Sequence, residues 1–161
     1  MGKDIEFVKY NETFLEKSWE WLNDKEIKYL TFTPDFTREQ QKEWFLSLKD
    51  KKDYFIKGVL YNDIPIGVVG LKNITDINGE YWGYIGEKEY CNKGIWKELI
   101  NYISHYGYIL NLKEIYLKVI KDNTRAIKLY QKMNFKEFLE ENNLIYMKLD
   151  LRDFGEKNEN N

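Results

Sequence analysis

The alternation of apolar and polar residues at the start of the chain predicts a strand and then a helix. Residues 5–10 alternate as a half-buried strand does. Asn11 has a side chain that can cap a helix, and the helix that it begins is predicted to end near residues 23–24. Three apolar residues at helical spacing predict its buried side, namely Leu15, Trp19 and Leu22.

A capping-box signature marks the second helix. Thr37 is followed three residues later by Gln40, a pair that satisfies backbone donors at a helix start. Trp44, Phe45 and Leu48 then share one predicted face. The segment before it, residues 31–36, contains Pro34 and two aromatic residues, Phe32 and Phe36, without periodic partners. Such a segment fits either a lid over a substrate site or ordinary packing over the core.

Three consecutive strands are predicted next. Residues 54–61 and 64–74 are rich in β-branched and aromatic residues, and Asn-Asp at 62–63 has the chemistry of a tight hairpin turn. After a break at residues 75–79, residues 80–85 form a third apolar run. The three runs therefore predict an antiparallel meander.

In the second half of the chain, helices and strands alternate. A polar loop at residues 86–95 leads to a helix with Leu99, Ile100 and Ile103 at helical spacing, and residues 114–120 form the next strand. Because a helix connects strands 80–85 and 114–120, we expect these two strands to be parallel.

The last elements are a helix and a hairpin. Asn123 is a good N-cap, and the helix after it has an apolar side of Ala126, Leu129, Tyr130 and Met133. Residues 136–141 and 144–151 then read as a hairpin around Asn-Asn at 142–143. The order predicts a mixed α/β fold with a central sheet of about seven strands and about four helices. We expect a single domain over residues 1–151 and a polar tail over residues 152–161.

Composition excludes several function classes. A net charge of -2 and a pI of about 5.6 do not favour nucleic-acid binding, which usually needs a basic excess. Cys91 is the only cysteine, so the chain cannot form an internal disulfide. The N-terminus is too polar for a signal peptide, and no apolar run reaches the roughly 18 residues of a membrane span. We therefore expect a cytoplasmic protein without membrane association, and we predict no metal site.

The loop at residues 92–95 has features of an anion-binding site. Its backbone N–H groups lead into a helix N-terminus, where donors lack internal partners and the helix dipole favours negative charge. Gly94 permits a close approach of the backbone, and Lys93 adds a positive charge. The loop thus indicates phosphate binding, although a single glycine before a helix is a weak signal.

Two segments carry a resemblance to a known family. One is IGEKEYCNKGIWKELI at 85–100, similar to a Q/R-x-x-G-x-G/A loop with its following helix. The other is NTRAIKLYQKMNF, in which Asn123, Ala126, Tyr130 and Phe135 match the spacing of N-x-x-A-x-x-x-Y-x-x-x-G-F. Over residues 5–151 the chain resembles the GNAT acetyltransferase superfamily. WLNDKEIKYL at 21–30 is similar to the branch of ribosomal-protein N-terminal and amino-sugar acetyltransferases.

The resemblance implies acetyl transfer from acetyl-CoA to a primary amine by direct attack on the thioester, with the two parallel strands splayed around the cofactor. It implies that Tyr130 protonates the departing thiolate; the alternative is a core tyrosine whose hydroxyl reaches a backbone carbonyl. The loop amides would hold the pyrophosphate and Asn123 the cofactor arm. The implied cofactor-binding residues are Tyr84, Ile85, Gly86, Asn92, Lys93, Gly94, Ile95, Trp96, Asn123 and Tyr130.

The chain departs from the family pattern at three positions. Cys91 stands where the family loop has Gln or Arg, and Trp96 where it has Gly or Ala. Trp96 retains the backbone donors but places a bulky ring near the phosphates. Asn134 replaces the glycine before Phe135, a mild change because asparagine tolerates the left-handed conformation.

A base or a water chain must take the proton of the attacking amine. Candidates are Glu80, Glu87 and His105, and Glu80 is favoured because its strand runs to the expected acetyl position. The alternative for Glu80 is an exposed charge at a strand end. Cys91 is not favoured as a nucleophile because no His or Asp accompanies it.

The favoured acceptor is an amino-sugar carried on a nucleotide. IGVVGLKNI, WGYIGEKEY and NTRAIKLYQKMNF are similar to acetyltransferases of pseudaminic-acid-type sugar pathways. Five aromatic residues are candidates to stack on a base or sugar, namely Trp19, Trp21, Tyr29, Phe32 and Phe36. A protein N-terminus, an aminoglycoside or a non-catalytic acyl-CoA-binding role remain alternatives, and exposed strand edges make a homodimer an expectation.

Overall fold

A seven-stranded mixed sheet forms the centre of the fold. The computed structural model describes residues 4–152 and residue 154. The strands in chain order are β1 (Ile5–Lys9), β2 (Phe55–Tyr61), β3 (Ile64–Lys72), β4 (Asn78–Ile85), β5 (Glu114–Ile120), β6 (Lys136–Glu141) and β7 (Leu144–Asp150), and their order in the sheet is β1-β2-β3-β4-β5-β7-β6. The helices are α1 (Glu12–Asn23), α2 (Lys25–Leu30), α3 (Arg38–Ser47), α4 (Ile95–Ile109) and α5 (Thr124–Lys132). The predicted mixed α/β class and the antiparallel meander β2-β3-β4 are confirmed.

Local sequence signals explain the turns and helix starts. Asn62 and Asp63 both have positive φ, 48° and 68°, as a two-residue hairpin turn requires. At α3 the predicted capping box is complete, because the Gln40 backbone N–H donates to the Thr37 hydroxyl and the Thr37 N–H donates to the Gln40 side chain. Asn134 adopts the left-handed conformation, φ 74°, just beyond α5.

Two features of the N-terminal helices differ from the prediction. Asp24 caps a short additional helix, α2, by accepting from the Ile27 N–H, so five α-helices, rather than about four, have both ends within the described residues. The buried side of α1 consists of Phe14, Ser18 and Trp21, one position before the predicted set, while Leu15, Trp19 and Leu22 are half-buried. Both sets have the same helical spacing, so only packing against the sheet selects between them.

The sheet separates two apolar cores. One lies under α4 and α5 and includes Tyr81, Ile85 and Tyr130. The other lies under α1, α2 and α3 and includes Tyr84, with Trp82 packed against it. Because side chains alternate along a strand, β4 contributes to both cores. A site built around β4 can therefore receive groups from both faces of the sheet.

The parallel strands β4 and β5 diverge part-way along their length. Their register contains Asn78 opposite Glu114, Gly79 opposite Ile115 and Glu80 opposite Tyr116, and it ends there. Beyond that point β5 continues to pair with β7. The parallel pairing is as predicted, and residues 81–85 of β4 present an unpaired backbone edge toward β5. The gap between the two strands leaves this edge free to hydrogen-bond with an extended ligand.

The C-terminal segment was predicted to be a polar tail over residues 152–161. Leu151 and Arg152 are helical, and the ring of Phe154 lies 6.2 Å from that of Tyr108. Residue 153 and residues 155–161 lie outside the described residues, so the tail remains a prediction. Of the helices within the described ranges, none is both long and apolar enough to cross a membrane.

Candidate active site

A groove of about 1270 Å³ follows the gap between β4 and β5 and continues under the N-terminal helices. One half, which we call the donor half, is lined by α5, the start of α4 and the loop before α4. The other half, the acceptor half, is lined by α1–α3 and by the even-numbered residues of β4. The two halves meet at residues 80–85 of β4.

The N-terminus of α4 opens into the donor half. Gly94 precedes the helix with φ 74°, and the helix has no side-chain N-cap. A Cβ atom at Gly94 would meet nothing within 4 Å, so ligand can approach the backbone closely. Asn92, Gly94 and Trp96 line the groove. The side chain of Ile95 is buried in the core.

Positive side chains lie near this helix start and elsewhere along the groove. Arg125 donates a hydrogen bond to the Asn92 amide oxygen and lies two residues after the helix cap Asn123. The positive residues that line the groove are Lys72, Lys88, Lys97, Lys118, Arg125, Lys128 and Lys132. The sequence pattern indicated none of these seven residues as a site residue. The lysine that it did indicate, Lys93, is exposed and does not line the groove. Lys97, in the first turn of α4, and Arg125, beside Asn92, bring positive charge to a helix N-terminus that already favours anions. Lys72 and Lys118 lie instead near Glu80, and Lys88 pairs with Asp24 and Glu26.

Tyr130 reaches the donor half from α5. Its side chain is only 9% exposed and packs edge-to-face with Tyr81 at 6.4 Å between ring centroids. Burial raises the pKa of Tyr130 to about 12, so the phenol keeps its proton at neutral pH. Asn123 also lines the groove, and its side-chain oxygen accepts from the Ala126 N–H at 3.3 Å. Asn123 thus caps the helix that carries Tyr130.

Glu80 is buried at the point where β4 and β5 separate. It is 5% exposed, and Asn73 donates to its carboxylate at 3.2 Å. The ammonium groups of Lys118 and Lys72 lie 3.9 and 4.0 Å from the carboxylate oxygens. Glu80 is therefore not the exposed strand-end charge of the alternative interpretation, and it lines the groove.

The other two candidate bases lie elsewhere. Glu87 accepts a hydrogen bond from the indole N–H of Trp21 at 2.6 Å and is not a groove residue. His105 is exposed on α4 and does not line the groove. Among the described residues, the carboxylates that line the groove are Glu80 and Glu26, and Glu26 is paired with Lys88 at 3.2 Å.

Aromatic rings from three segments of the chain form the acceptor half. Tyr10 and Trp44 meet edge-to-face at 5.7 Å, Trp44 and Tyr54 at 6.4 Å, and Tyr54 lies 6.0 Å from Trp82. The hydroxyls of Tyr10 and Tyr84 both donate to Ser18 at 3.0 Å. The indole nitrogen of Trp82 is buried and has no hydrogen-bond partner among residues 4–152 and 154.

The predicted aromatic set is only partly placed at this site. Phe32, 67% exposed, and Phe36 line the groove in the loop before α3. Trp19 instead packs against Phe36 and Arg38, and Tyr29 donates to Asp122. Sequence periodicity did not indicate the rings of Tyr10, Trp44, Tyr54 and Trp82 as site residues, because it does not show which core aromatics border a cavity.

Three remaining predicted residues have clear structural settings. Gly86 lies beneath Trp21, and a Cβ atom there would come within 2.1 Å of the indole, so Gly86 packs against α1 and does not line the groove. Trp96 packs against both cores with part of its ring on the groove wall. Burial raises the pKa of Cys91, which leaves a protonated thiol at neutral pH. The described residues contain no cluster of three or more metal-binding side chains.

A sequence profile described as the Acetyltransferase (GNAT) family matches residues 15–135. The chain belongs to this family. Among its relatives, Acetyltransferase PseH of Campylobacter jejuni strain 81-176 is 30% identical over 151 residues, covering 91% of this chain and 92% of that protein. N-acetyltransferase 9-like protein of Dictyostelium discoideum is 28% identical over 165 residues, covering 85% of this chain and 76% of its own length.

Solved structures agree with the fold. The crystal structure of Campylobacter jejuni N-acetyltransferase PseH has a TM-score of 0.72 at 24% identity, covering 92% of this chain and 99% of that one. The spermidine N-acetyltransferase from Vibrio cholerae, in complex with CoA and spermine, has a TM-score of 0.82 at 22% identity, covering 95% and 99%. The predicted GNAT fold and acyltransferase class are confirmed, and acetyl-CoA as acetyl donor accords with the family.

Proposed function

We propose that this GNAT acetyltransferase transfers acetyl to the primary amine of a small molecule, with an amino-sugar on a nucleotide as acceptor. The main support for this reaction is that a candidate general acid and a candidate general base lie on opposite sides of β4. Tyr130 belongs to the donor half, and Glu80 shares the acceptor face of β4 with Trp82 and Tyr84. A groove that passes between these faces can bring an amine from one side to an acyl group from the other.

The donor half fits acetyl-CoA, a ligand with a phosphate-rich end and an uncharged arm. The N-terminal amides of α4, together with Arg125 and Lys97, would hold the phosphates. The unpaired edge of β4 near Tyr84 and Ile85 would hydrogen-bond the arm. When bound, acetyl-CoA supplies an acetyl group activated as a thioester.

The side chains then divide the proton transfers. Glu80 takes a proton from the attacking amine, and its hydrogen bond to Asn73 holds the carboxylate in place. Tyr130 gives its phenolic proton to the sulfur as the C–S bond breaks and the N–C bond forms. A backbone N–H on the free edge of β4 stabilises the negative charge that develops on the carbonyl oxygen. The raised pKa of Tyr130 suits this task because the phenol remains protonated across the physiological range.

The chemistry of the acceptor half supports an uncharged or anionic acceptor with one amine. Flat rings suit sugar and base faces. The indole N–H of Trp82, which has no hydrogen-bond partner among the described residues, offers a donor to a hydroxyl or carbonyl oxygen. The groove carboxylates, Glu80 and Glu26, each have lysine neighbours. A polyamine or aminoglycoside would meet more positive than negative groups, which argues against a polycationic acceptor.

A turnover assay with defined amines tests the proposal. Purified protein is mixed with acetyl-CoA and, separately, a nucleotide-linked amino-sugar, spermidine, an aminoglycoside and a peptide with a free N-terminus, and released thiol is measured. We expect the fastest release with the nucleotide-linked amino-sugar. Faster release of thiol with the peptide would contradict the amino-sugar acceptor and indicate a protein N-terminus instead. Tight acetyl-CoA binding without turnover of any amine would instead indicate the non-catalytic acyl-CoA-binding role.

A further inference from the structure

The hydroxyl of Tyr81 is a buried donor for which residues 4–152 and 154 supply no hydrogen-bond partner. Tyr81 is 4% exposed, and its hydroxyl makes no hydrogen bond to any described residue. A buried hydroxyl left unpaired costs free energy. Because nearly all buried polar groups in folded proteins are hydrogen-bonded, an unpaired one needs a specific explanation. The proposed roles of Tyr130 and Glu80 do not use it.

The hydroxyl of Tyr81 lies close to the gap between β4 and β5. Tyr81 is the first residue of β4 beyond the last pair with β5, Glu80 with Tyr116. Its side chain extends along the strand, so that the hydroxyl lies over Gly83, 3.1 Å from where a Cβ atom would stand. Both residues line the groove. The hydroxyl thus lies beside the stretch of β4 whose backbone edge is free.

The surroundings of Tyr81 belong to the donor half. Its ring packs edge-to-face with that of Tyr130 at 6.4 Å, and both belong to the core under α4 and α5. Trp82, the next residue, points to the opposite face and packs against Tyr54. The hydroxyl is therefore near the proposed acid and separated by the sheet from the aromatic acceptor half. Burial raises the pKa of Tyr81, so the phenol stays a hydrogen-bond donor.

We propose that the Tyr81 hydroxyl donates a hydrogen bond to a carbonyl oxygen of the acyl donor, which makes Tyr81 a further donor-binding residue. This assignment rests on the proposed function. The arm of acetyl-CoA is uncharged at this depth and carries its acceptors as amide and thioester carbonyls. Neutral carbonyls also fit this wall, because the atoms nearest to Gly83 besides the Tyr81 hydroxyl are the Val68 carbonyl oxygen and the Val69 side chain, and neither is charged.

Replacing Tyr81 by Phe removes the hydroxyl and retains the ring. Tyr106→Phe is the matched control, because the ring of Tyr106 stacks on that of Phe55, with 3.7 Å between centroids, and Tyr106 is not a groove residue. The measurements are the thermal midpoint with and without acetyl-CoA, and kcat and KM for acetyl-CoA at saturating acceptor. If the hydroxyl binds an amide carbonyl of the arm, its loss in Tyr81→Phe raises KM. If it binds the thioester carbonyl, where the hydrogen bond strengthens as charge develops, its loss lowers kcat.

We expect Tyr81→Phe to lower kcat/KM for acetyl-CoA by roughly 3- to 10-fold and to reduce the midpoint shift that acetyl-CoA causes, with Tyr106→Phe unchanged. Without ligand, the midpoint of Tyr81→Phe should equal or exceed that of the wild type, because the hydroxyl that is removed makes no hydrogen bond within the described part of the chain. A lower midpoint without ligand, or wild-type values of kcat/KM and ligand shift, would overturn the assignment. If wild-type protein showed no shift with acetyl-CoA, the proposed function would fail as well.

Discussion

The donor and acceptor halves of the groove are built in different ways. The donor half comes from two short stretches, the start of α4 and the start and body of α5, and its features are a helix N-terminus, a glycine and a tyrosine at set spacing. The acceptor half combines Tyr10, just after β1, and Trp44 of α3 with Tyr54, just before β2, and Trp82 of β4. Its rings therefore come from distant parts of the chain. A local motif therefore specifies the first half, and long-range packing specifies the second.

Tyr130→Phe should produce the largest effect and is confined to the donor half. Loss of the general acid is expected to lower kcat by roughly 10²- to 10⁴-fold. Because the ring is retained, the midpoint shift caused by acetyl-CoA should stay near the wild-type value. Steady-state kinetics and thermal unfolding measure the two quantities. A kcat equal to that of the wild type would remove Tyr130 from the mechanism.

Glu80→Gln should have the next largest effect, at the junction of the two halves. The amide cannot accept the amine proton, so kcat is expected to fall by roughly 10- to 100-fold, less than for Tyr130 because water can carry part of the proton transfer. The pH dependence of kcat/KM should also change shape. Glu87→Gln, in a residue that binds Trp21 outside the groove, is the matched control. A pH profile identical to that of the wild type would exclude Glu80 as the base.

Trp82→Phe should affect the acceptor half alone. It removes the indole N–H and part of the ring, and KM for the acceptor is expected to rise by roughly 10-fold with KM for acetyl-CoA unchanged. Trp19→Phe, in a ring that packs against Phe36 and Arg38, should leave both constants unchanged. A rise in KM for acetyl-CoA instead would show that the two halves are not separable.

Arg125→Ala should weaken the donor half without changing the chemistry. KM for acetyl-CoA is expected to rise by roughly 3- to 5-fold at low salt, and the difference from the wild type should shrink as salt rises, because exposed charges are screened. Arg38→Ala, in an arginine paired with Glu16, provides a control of the same residue type. A salt-independent change would indicate that Arg125 acts by positioning Asn92 and not by charge.

Alkaline pH should have the smallest effect, a loss of folding stability to which one tyrosine in each half of the groove contributes. Burial raises the pKa of Tyr10 in the acceptor half and of Tyr130 in the donor half from 10.0 to about 12. The folded state therefore keeps these protons to a higher pH than the unfolded state does. The contribution of the two phenols to the free energy of unfolding is fully present below pH 10 and is lost as pH rises through about 12. Denaturant unfolding between pH 9 and 12 should show a shallower loss in Tyr10→Phe and in Tyr130→Phe, each measured against wild type. Equal slopes would contradict the burial of these phenols.

Much of the fold follows from local signals in the sequence. The capping box at Thr37 and the Asn-Asp turn at 62–63 depend on side-chain chemistry within a few residues, and the structure shows both. The parallel relation of β4 and β5 follows from the helical connection between them. The short helix α2 was not predicted, since six residues carry little periodic signal.

The sequence by itself determined the mixed fold, the family and the donor motif, because these depend on spacing within one helix or one loop. Tertiary structure decided which side of α1 is buried, that Glu80 lies between two lysines, and that Tyr10, Trp44, Tyr54 and Trp82 border one cavity. It also placed the hydroxyl of Tyr81 over Gly83, with no hydrogen bond to any of the residues that the structure describes. These outcomes depend on the way the sheet brings distant segments together, and a periodic pattern does not record which core side chains face a gap.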